Sequence, residues 1–371
     1  MLLVLHPIFA LTGIADAMTG PMLPSLARAF HLTDSQSGVL LFSIFAGMAT
    51  GALLCRGNYA RILTGGLCTM AIACVSFMWI PRAILYPFAF FFGASIGAPM
   101  TAVSLFAGRN YPARRAATLT MLNFTWSAGA MLAPLLAARF ITVFSWHAVY
   151  LLLAGIAGVA AIVAGFVVRD SAETVRTAPE STGLRNLRLV ALFAIFLFFE
   201  VGMETAFGAW ISTYVLRVTL TSMALAAAST AIFWAGLLVS RGFSSLLLLR
   251  MNPHRLLSLA LLMALAGAIL LVTVSSPALI TVAILLLGAS LAPVFPVALA
   301  AFFDRARHSS DSTFILAVSG FGGSLFSWSV GWISSQSGSL RIGLWLCPVT
   351  LLAMSAMLPL IRVRKEVPAA R

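Results

Sequence analysis

Three acidic residues of this 371-residue chain stand where acids are costly. Of its ten Asp and Glu, Asp16, Glu200 and Glu204 fall inside long apolar runs, and the others occupy loops, helix ends or the tail. An ionised carboxylate at the bilayer centre costs at least about 2.5–3.5 kcal/mol on insertion scales, so such a group normally faces a cavity or carries a proton. Loading and releasing a proton is the chemistry these three offer. Glu200 and Glu204 are four apart and share one helix face, where two like charges resist joint ionisation. The plainer reading is that either carboxyl anchors a hydrogen-bond network through a hydroxyl such as Thr205 or Ser212.

Around Asp16 the sequence supplies Gly13, Gly20, Pro21 and Pro24. Glycine and proline weaken backbone bonding, which predicts a deformable helix of the kind that lines a transport cavity; close helix packing on the glycines is the simpler alternative. Groups able to read a solute are few. Asn123 and Gln336 are the amides in or near apolar runs, and Trp126, Phe207, Trp210, Phe233, Trp234 and Trp328, with Trp332, offer flat apolar plates. Aromatic plates with a few hydrogen-bonding groups suit sugars and amphipathic solutes. Arg56 and Arg241, each placed just past an apolar run, read as a cytoplasmic clamp, with Asp304 as a partner. The five histidines are scattered, and no nucleophile, metal spacing or phosphate loop accompanies them. The chain therefore reads as no enzyme, with no cofactor and no metal.

The elements that must hold these residues follow from composition. Sixty-one per cent of residues are hydrophobic and nine per cent charged, so lipid is the solvent for most of the chain, and apolar runs of about twenty residues must be helices. Twelve such runs predict an all-α membrane protein of two pseudo-symmetric six-helix bundles, residues 1–168 and 188–371, joined by a polar linker at 169–187. The net charge of +13 is not a nucleic-acid signal, because 18 of the 23 Lys and Arg fall on one side of this arrangement and Arg28, Arg82, Arg139, Arg217 and Arg341 on the other. This bias places both termini and the linker in the cytoplasm. The first run lacks a basic leader and reads as a retained helix, and the four cysteines read as packing thiols without disulfides.

The halves repeat each other. Gly93-Ala94-Ser95 recurs as Gly288-Ala289-Ser290, His31-Leu32-Thr33 as Thr219-Leu220-Thr221, Cys55-Arg56-Gly57 as Ser240-Arg241-Gly242, and Asp16 to Gly20 as Glu204 to Gly208. Parallel repeats of spanning helices are how many secondary transporters are built.

With these features the chain resembles the major facilitator superfamily over essentially its whole length. Gly51 to Arg61 is similar to that family's basic motif after helix two, without the acid that usually precedes the arginine. Gly20-Pro21-Met22-Leu23-Pro24, Val201 to Tyr214 and Pro293 to Pro296 resemble the branch containing fucose permease and the glucose/mannose proton symporters. The resemblance implies alternating access and ties Asp16 to proton coupling; the acid of helix four that matters in fucose permease has no counterpart between Ile84 and Ala107.

The expectation is a monomeric proton-coupled symporter of a small neutral solute such as a sugar, multi-pass in a bacterial cytoplasmic membrane, with Na⁺ as the other candidate for the coupling ion. Proton-driven efflux of apolar or cationic compounds is the alternative, favoured by the scarcity of amides and by Gly129 to Pro134. A membrane enzyme is the remote one.

Overall fold

Long apolar segments with no competing strand pattern fold as helices throughout the computed structural model, which describes residues 1–111, 115–168, 186–303, 305 and 309–361. The helices are α1 (Leu2–Ala17), α2 (Thr19–Ala29), α3 (Asp34–Leu53), α4 (Tyr59–Ser76), α5 (Leu85–Asn110), α6 (Arg115–Val143), α7 (Trp146–Val167), α8 (Leu187–Thr219), α9 (Met223–Arg250), α10 (Pro253–Thr273), α11 (Pro277–Leu291), α12 (Val294–Phe303), α13 (Ser309–Ser337), α14 (Leu340–Leu344) and α15 (Leu346–Met357). Eleven spans are long and apolar enough to cross a bilayer, and the bent pair α1 and α2 makes a twelfth. The expected linker lies almost wholly outside the described residues, as does Asp304.

The breaks within spans have a common cause. The α1–α2 bend of 44° falls at Met18. Pro21 has no N–H to give the Ala17 carbonyl, and its ring crowds that carbonyl. Pro293 and Pro296 act likewise on Ala289 and Ala292, and α11 stops at Leu291 while α12 starts at Val294. The deformable segment expected around Asp16 is thus a real break, two residues beyond the acid.

Helix starts are fixed by side chains that take up orphan N–H groups. Thr33 and Gln36 form a reciprocal capping box on α3, and Ser222 accepts from Leu225 at the start of α9. Just before each cap the backbone turns left-handed, at His31 (φ 50°) and Leu220 (φ 52°). The repeat in this loop therefore aligns His31-Leu32-Thr33 with Leu220-Thr221-Ser222, one residue on from the pairing read in the sequence, because the turn and the capping hydroxyl define equivalence better than residue identity does.

Packing between helices repeats as well. A Cβ on Gly93 would lie 1.9 Å from the Ile44 carbonyl oxygen, and one on Gly288 2.0 Å from that of Phe233. Gly129 meets the Ala10 carbonyl at 2.1 Å as Gly322 meets that of Phe198 at 2.2 Å. Each pair brings two backbones into contact, which is how helices associate where no hydrophobic force separates lipid from side chain. The α3–α5 and α1–α6 seams of the first half are thus rebuilt as α9–α11 and α8–α13 in the second.

Candidate functional site

The first and second halves meet along the repeat-related segments that carry the acids. Gly20 of α2 lies against Gly208 of α8, so closely that a Cβ there would stand 2.0 Å from the Gly208 carbonyl oxygen. One turn away on each chain segment lie Asp16, half-buried at the end of α1, and Glu204 on α8, within electrostatic range of each other. Glu200, one turn before Glu204 and facing it, is 1% exposed, and its Oε1 is buried without a hydrogen-bond partner. The three acids expected from the sequence thus lie in a chain, Asp16 near Glu204 and Glu204 near Glu200, where the end of α1 faces α8, although among the described residues no three His, Cys, Asp or Glu converge closely enough to hold a metal ion.

Arg241 is the correction at this site. Its position near the end of an apolar run suggested a cytoplasmic clamp paired with Asp304, but α9 continues to Arg250, and the guanidinium turns into the protein. Its Nη2 lies 3.4 Å from both carboxylate oxygens of Glu204, and its Nη1 donates to Ser127 Oγ on α6 at 3.1 Å. An arginine beside a carboxylate is tolerated in an apolar interior because the pair carries no net charge. Arg56, by contrast, is exposed in the turn between α3 and α4.

The aromatic candidates divide. Trp126 on α6 and Trp234 on α9 meet edge to face, with ring centroids 5.8 Å apart, and both indole N–H groups are buried without a partner. Phe207 and Phe233 are fully buried and pack against each other in the α8–α9 seam, which corrects their reading as plates facing a solute. Trp210 is likewise a packing residue: its N–H donates to the Ser327 carbonyl at 2.9 Å. Trp328 stacks on Trp332, and the backbone of Gly38 packs on the Trp328 carbonyl. Asn123 is exposed, one turn before Ser127, and donates to the Leu119 carbonyl at 2.9 Å.

One element of the site had no signal in the sequence. At the arginine-poor end, Asp34 at the start of α3 takes both guanidinium nitrogens of Arg217 on α8, at 2.5 and 2.7 Å, and also accepts from Ser334 on α13. Ser35 N–H donates to Ser335 Oγ at 2.7 Å, and a Cβ on Gly331 would lie 2.4 Å from the Asp34 carbonyl oxygen. These bonds close that end across the two halves. Asp34 looked like an ordinary helix-capping acid, and its partners are 183 and 300 residues away.

The sequence profile described as Major Facilitator Superfamily matches residues 5–326. The glucose/mannose transporter of Bacillus subtilis is 24% identical over 355 residues, covering 89% of this chain and 87% of that protein. Among solved structures, the chain is similar to a bacterial homologue of the human lysosomal transporter Spinster in an inward-facing, occupied conformation (16% identity, TM-score 0.78, 99% of this chain and 98% of that one). It is also similar to a D-xylose–proton symporter (13%, TM-score 0.76, 96% of each chain). An outward-facing fucose transporter superposes with a TM-score of 0.64 at 16% identity, over 97% of this chain and 98% of that one. With the profile running from the first span into α13 and the twelve-span fold matched from end to end, the chain belongs to the Major Facilitator Superfamily of transporters.

Proposed function

We propose that this transporter is a proton-coupled symporter of a small neutral solute, a sugar, working by alternating access between halves 1–168 and 188–371. The observation that carries this reading is the cluster of Asp16, Glu200, Glu204 and Arg241 where the halves meet, with three carboxyl groups against one guanidinium. Such a cluster favours holding at least one proton, and separating the halves changes which charges face one another. Asp16 is the proton carrier, Glu204 and Glu200 are its partners, and Asn123, Trp126 and Trp234 stand on the two helices that flank the solute. Rocking of the halves opens and closes the Asp34–Arg217 contact, which faces the outside when both termini are cytoplasmic. The chain performs no covalent chemistry, and its membrane is the bacterial cytoplasmic one. The sugar named for the Bacillus subtilis relative makes D-glucose the first solute to test.

The test is D-glucose uptake by purified protein in proteoliposomes with an imposed inward proton gradient. Wild type accumulates sugar only with the gradient, and Asp16→Asn loses accumulation while retaining exchange of internal for external sugar. Gradient-independent accumulation, or equal gradient dependence in Asp16→Asn, overturns the reading.

A further inference from the structure

A groove of about 590 Å³ crosses the boundary between the halves toward the arginine-poor end, walled by α6, α9 and α11 with the last turn of α8 at its rim. Leu135, Leu225 and Thr281 along it are exposed, so it opens on the lipid-facing side. Its floor is aliphatic, from Met131 of α6 to Ile232 of α9 and Ile284 of α11. From Leu225 to Ala235 it follows α9 for about 15 Å at the helical rise per residue, the depth of one leaflet's hydrocarbon. One lipid chain fits this length. Lipid tails are as apolar as leucine, however, so burying a chain there selects no particular lipid. Selection has to come from the polar groups.

Thr219, Thr221, Ser229 and Thr281 bring four hydroxyls to the groove, and three have spent their hydrogens. Thr219 donates to the Val215 carbonyl at 2.8 Å, Ser229 to that of Ala226 at 2.6 Å and Thr281 to that of Pro277 at 2.9 Å. These oxygens still offer lone pairs, so the groove asks its occupant for donors. Among the described residues no acid lines it. The charges closest along the chain are basic. Arg217, just before Thr219, is matched by Asp34, whereas Arg341 donates to neutral oxygens beside Pro277, the Val274 carbonyl at 3.0 Å and Ser275 Oγ at 2.9 Å. That field disfavours an ammonium head and favours a phosphate.

We propose that this groove is a site for phosphatidylglycerol, with one chain on the aliphatic floor, the head-group hydroxyls donating to Thr219 and Thr281, and the phosphate on the side of Arg341. The bound lipid holds the arginine-poor end closed. Met131 and Leu135 belong to the first half and the other walls to the second, so the walls keep this spacing in one arrangement of the halves, and an occupant touching both stabilises it. The groove between α1 and α7, lined by Val4, Gly155 and Val163, lies within the first half and has no such effect.

The experiment compares nanodiscs of phosphatidylcholine alone with nanodiscs containing phosphatidylglycerol or phosphatidylethanol of the same chains; the last keeps the anionic charge and lacks the head-group hydroxyls. Spin labels at Leu32 and Gln336, on segments joined by the Ser35–Ser335 contact, report closure of this end without touching the groove. The full chain carries Asp34→Ala, so that an open population is present to be shifted. Phosphatidylglycerol should lower the ratio of long to short distances about fivefold relative to phosphatidylethanol, the worth of one hydrogen bond. Thr219→Val with Thr281→Val, or Ala228→Phe in the groove, should abolish that difference, and Gly155→Phe in the α1–α7 groove should keep it. Native mass spectrometry of the wild-type chain gives a second reading: it should retain phosphatidylglycerol over phosphatidylethanol, and Ala228→Phe should not. Equal distances in all three lipids, an equal effect of phosphatidylethanol, or a lipid preference that survives Ala228→Phe each overturns the assignment. Neither sugar nor proton enters the readout, so failure of the symport reading leaves a different mark from failure of this one.

Discussion

Removing the carboxylate of Asp34 should tip the protein toward the conformation in which the arginine-poor end is open. The Arg217 side chain is 48% exposed and that of Asp34 14%. Solvent screening therefore holds the bidentate pair to about 1 kcal/mol. The Ser334 bond to the same carboxylate contributes about 1 kcal/mol more. All of this exists only while α3 touches α8 and α13, so Asp34→Ala withdraws about 2 kcal/mol from one state, a shift of roughly 30-fold in the equilibrium. The assay is pulsed electron spin distance measurement between labels at Leu32 and Thr221, which lie in the loops before α3 and α9. Wild type is expected to give mainly the short distance of the closed end, and Asp34→Ala a long component that Arg217→Ala reproduces. The double variant should add little to either, since both remove the same contact. An Asp34→Ala distribution identical to wild type would refute the reasoning.

Gly20→Ala places a methyl 2.0 Å from the Gly208 carbonyl oxygen and must separate α2 from α8, at a cost of about 1–3 kcal/mol to the closed end; the same labels should show it opening. Gly208→Ala meets the edge of the Trp234 ring at 3.1 Å, a movable neighbour, and should shift the distances less. Tyr214→Phe removes the hydroxyl that donates to the Leu271 carbonyl at 2.6 Å within the second half; thermal unfolding should show a loss of about 1 kcal/mol while the label distances stay at wild type.

Much of this architecture was legible because the bilayer leaves a chain few choices. Apolar length sets the spans, and Pro21 beside Asp16 announced the break that occurs at Met18. The repeated Gly-Ala-Ser segments proved to be matching backbone contacts, Gly93 on Ile44 and Gly288 on Phe233. Asp16, Glu200 and Glu204 stood out through the cost of burying them. Arg241 was misplaced by the same logic, because an arginine at the end of an apolar run resembles an orienting charge until its carboxylate partner is seen. Asp34 gave no warning at all: an acid opening a helix needs no other explanation, and its bonds to Arg217 and Ser334 join segments that only the folded chain brings together. Phe207 and Phe233 show the opposite limit, since an aromatic side chain in a membrane helix looks the same whether it packs or lines a cavity.

The central claim is that sugar and proton cross together through the Asp16–Glu204 cluster, and the most direct measurement is the pH inside proteoliposomes when D-glucose is added outside with no gradient imposed. Wild type should acidify the lumen as sugar runs down its own gradient, and Asp16→Asn should admit sugar without acidification. A lumen whose pH stays constant while wild-type protein carries glucose inward would contradict the account.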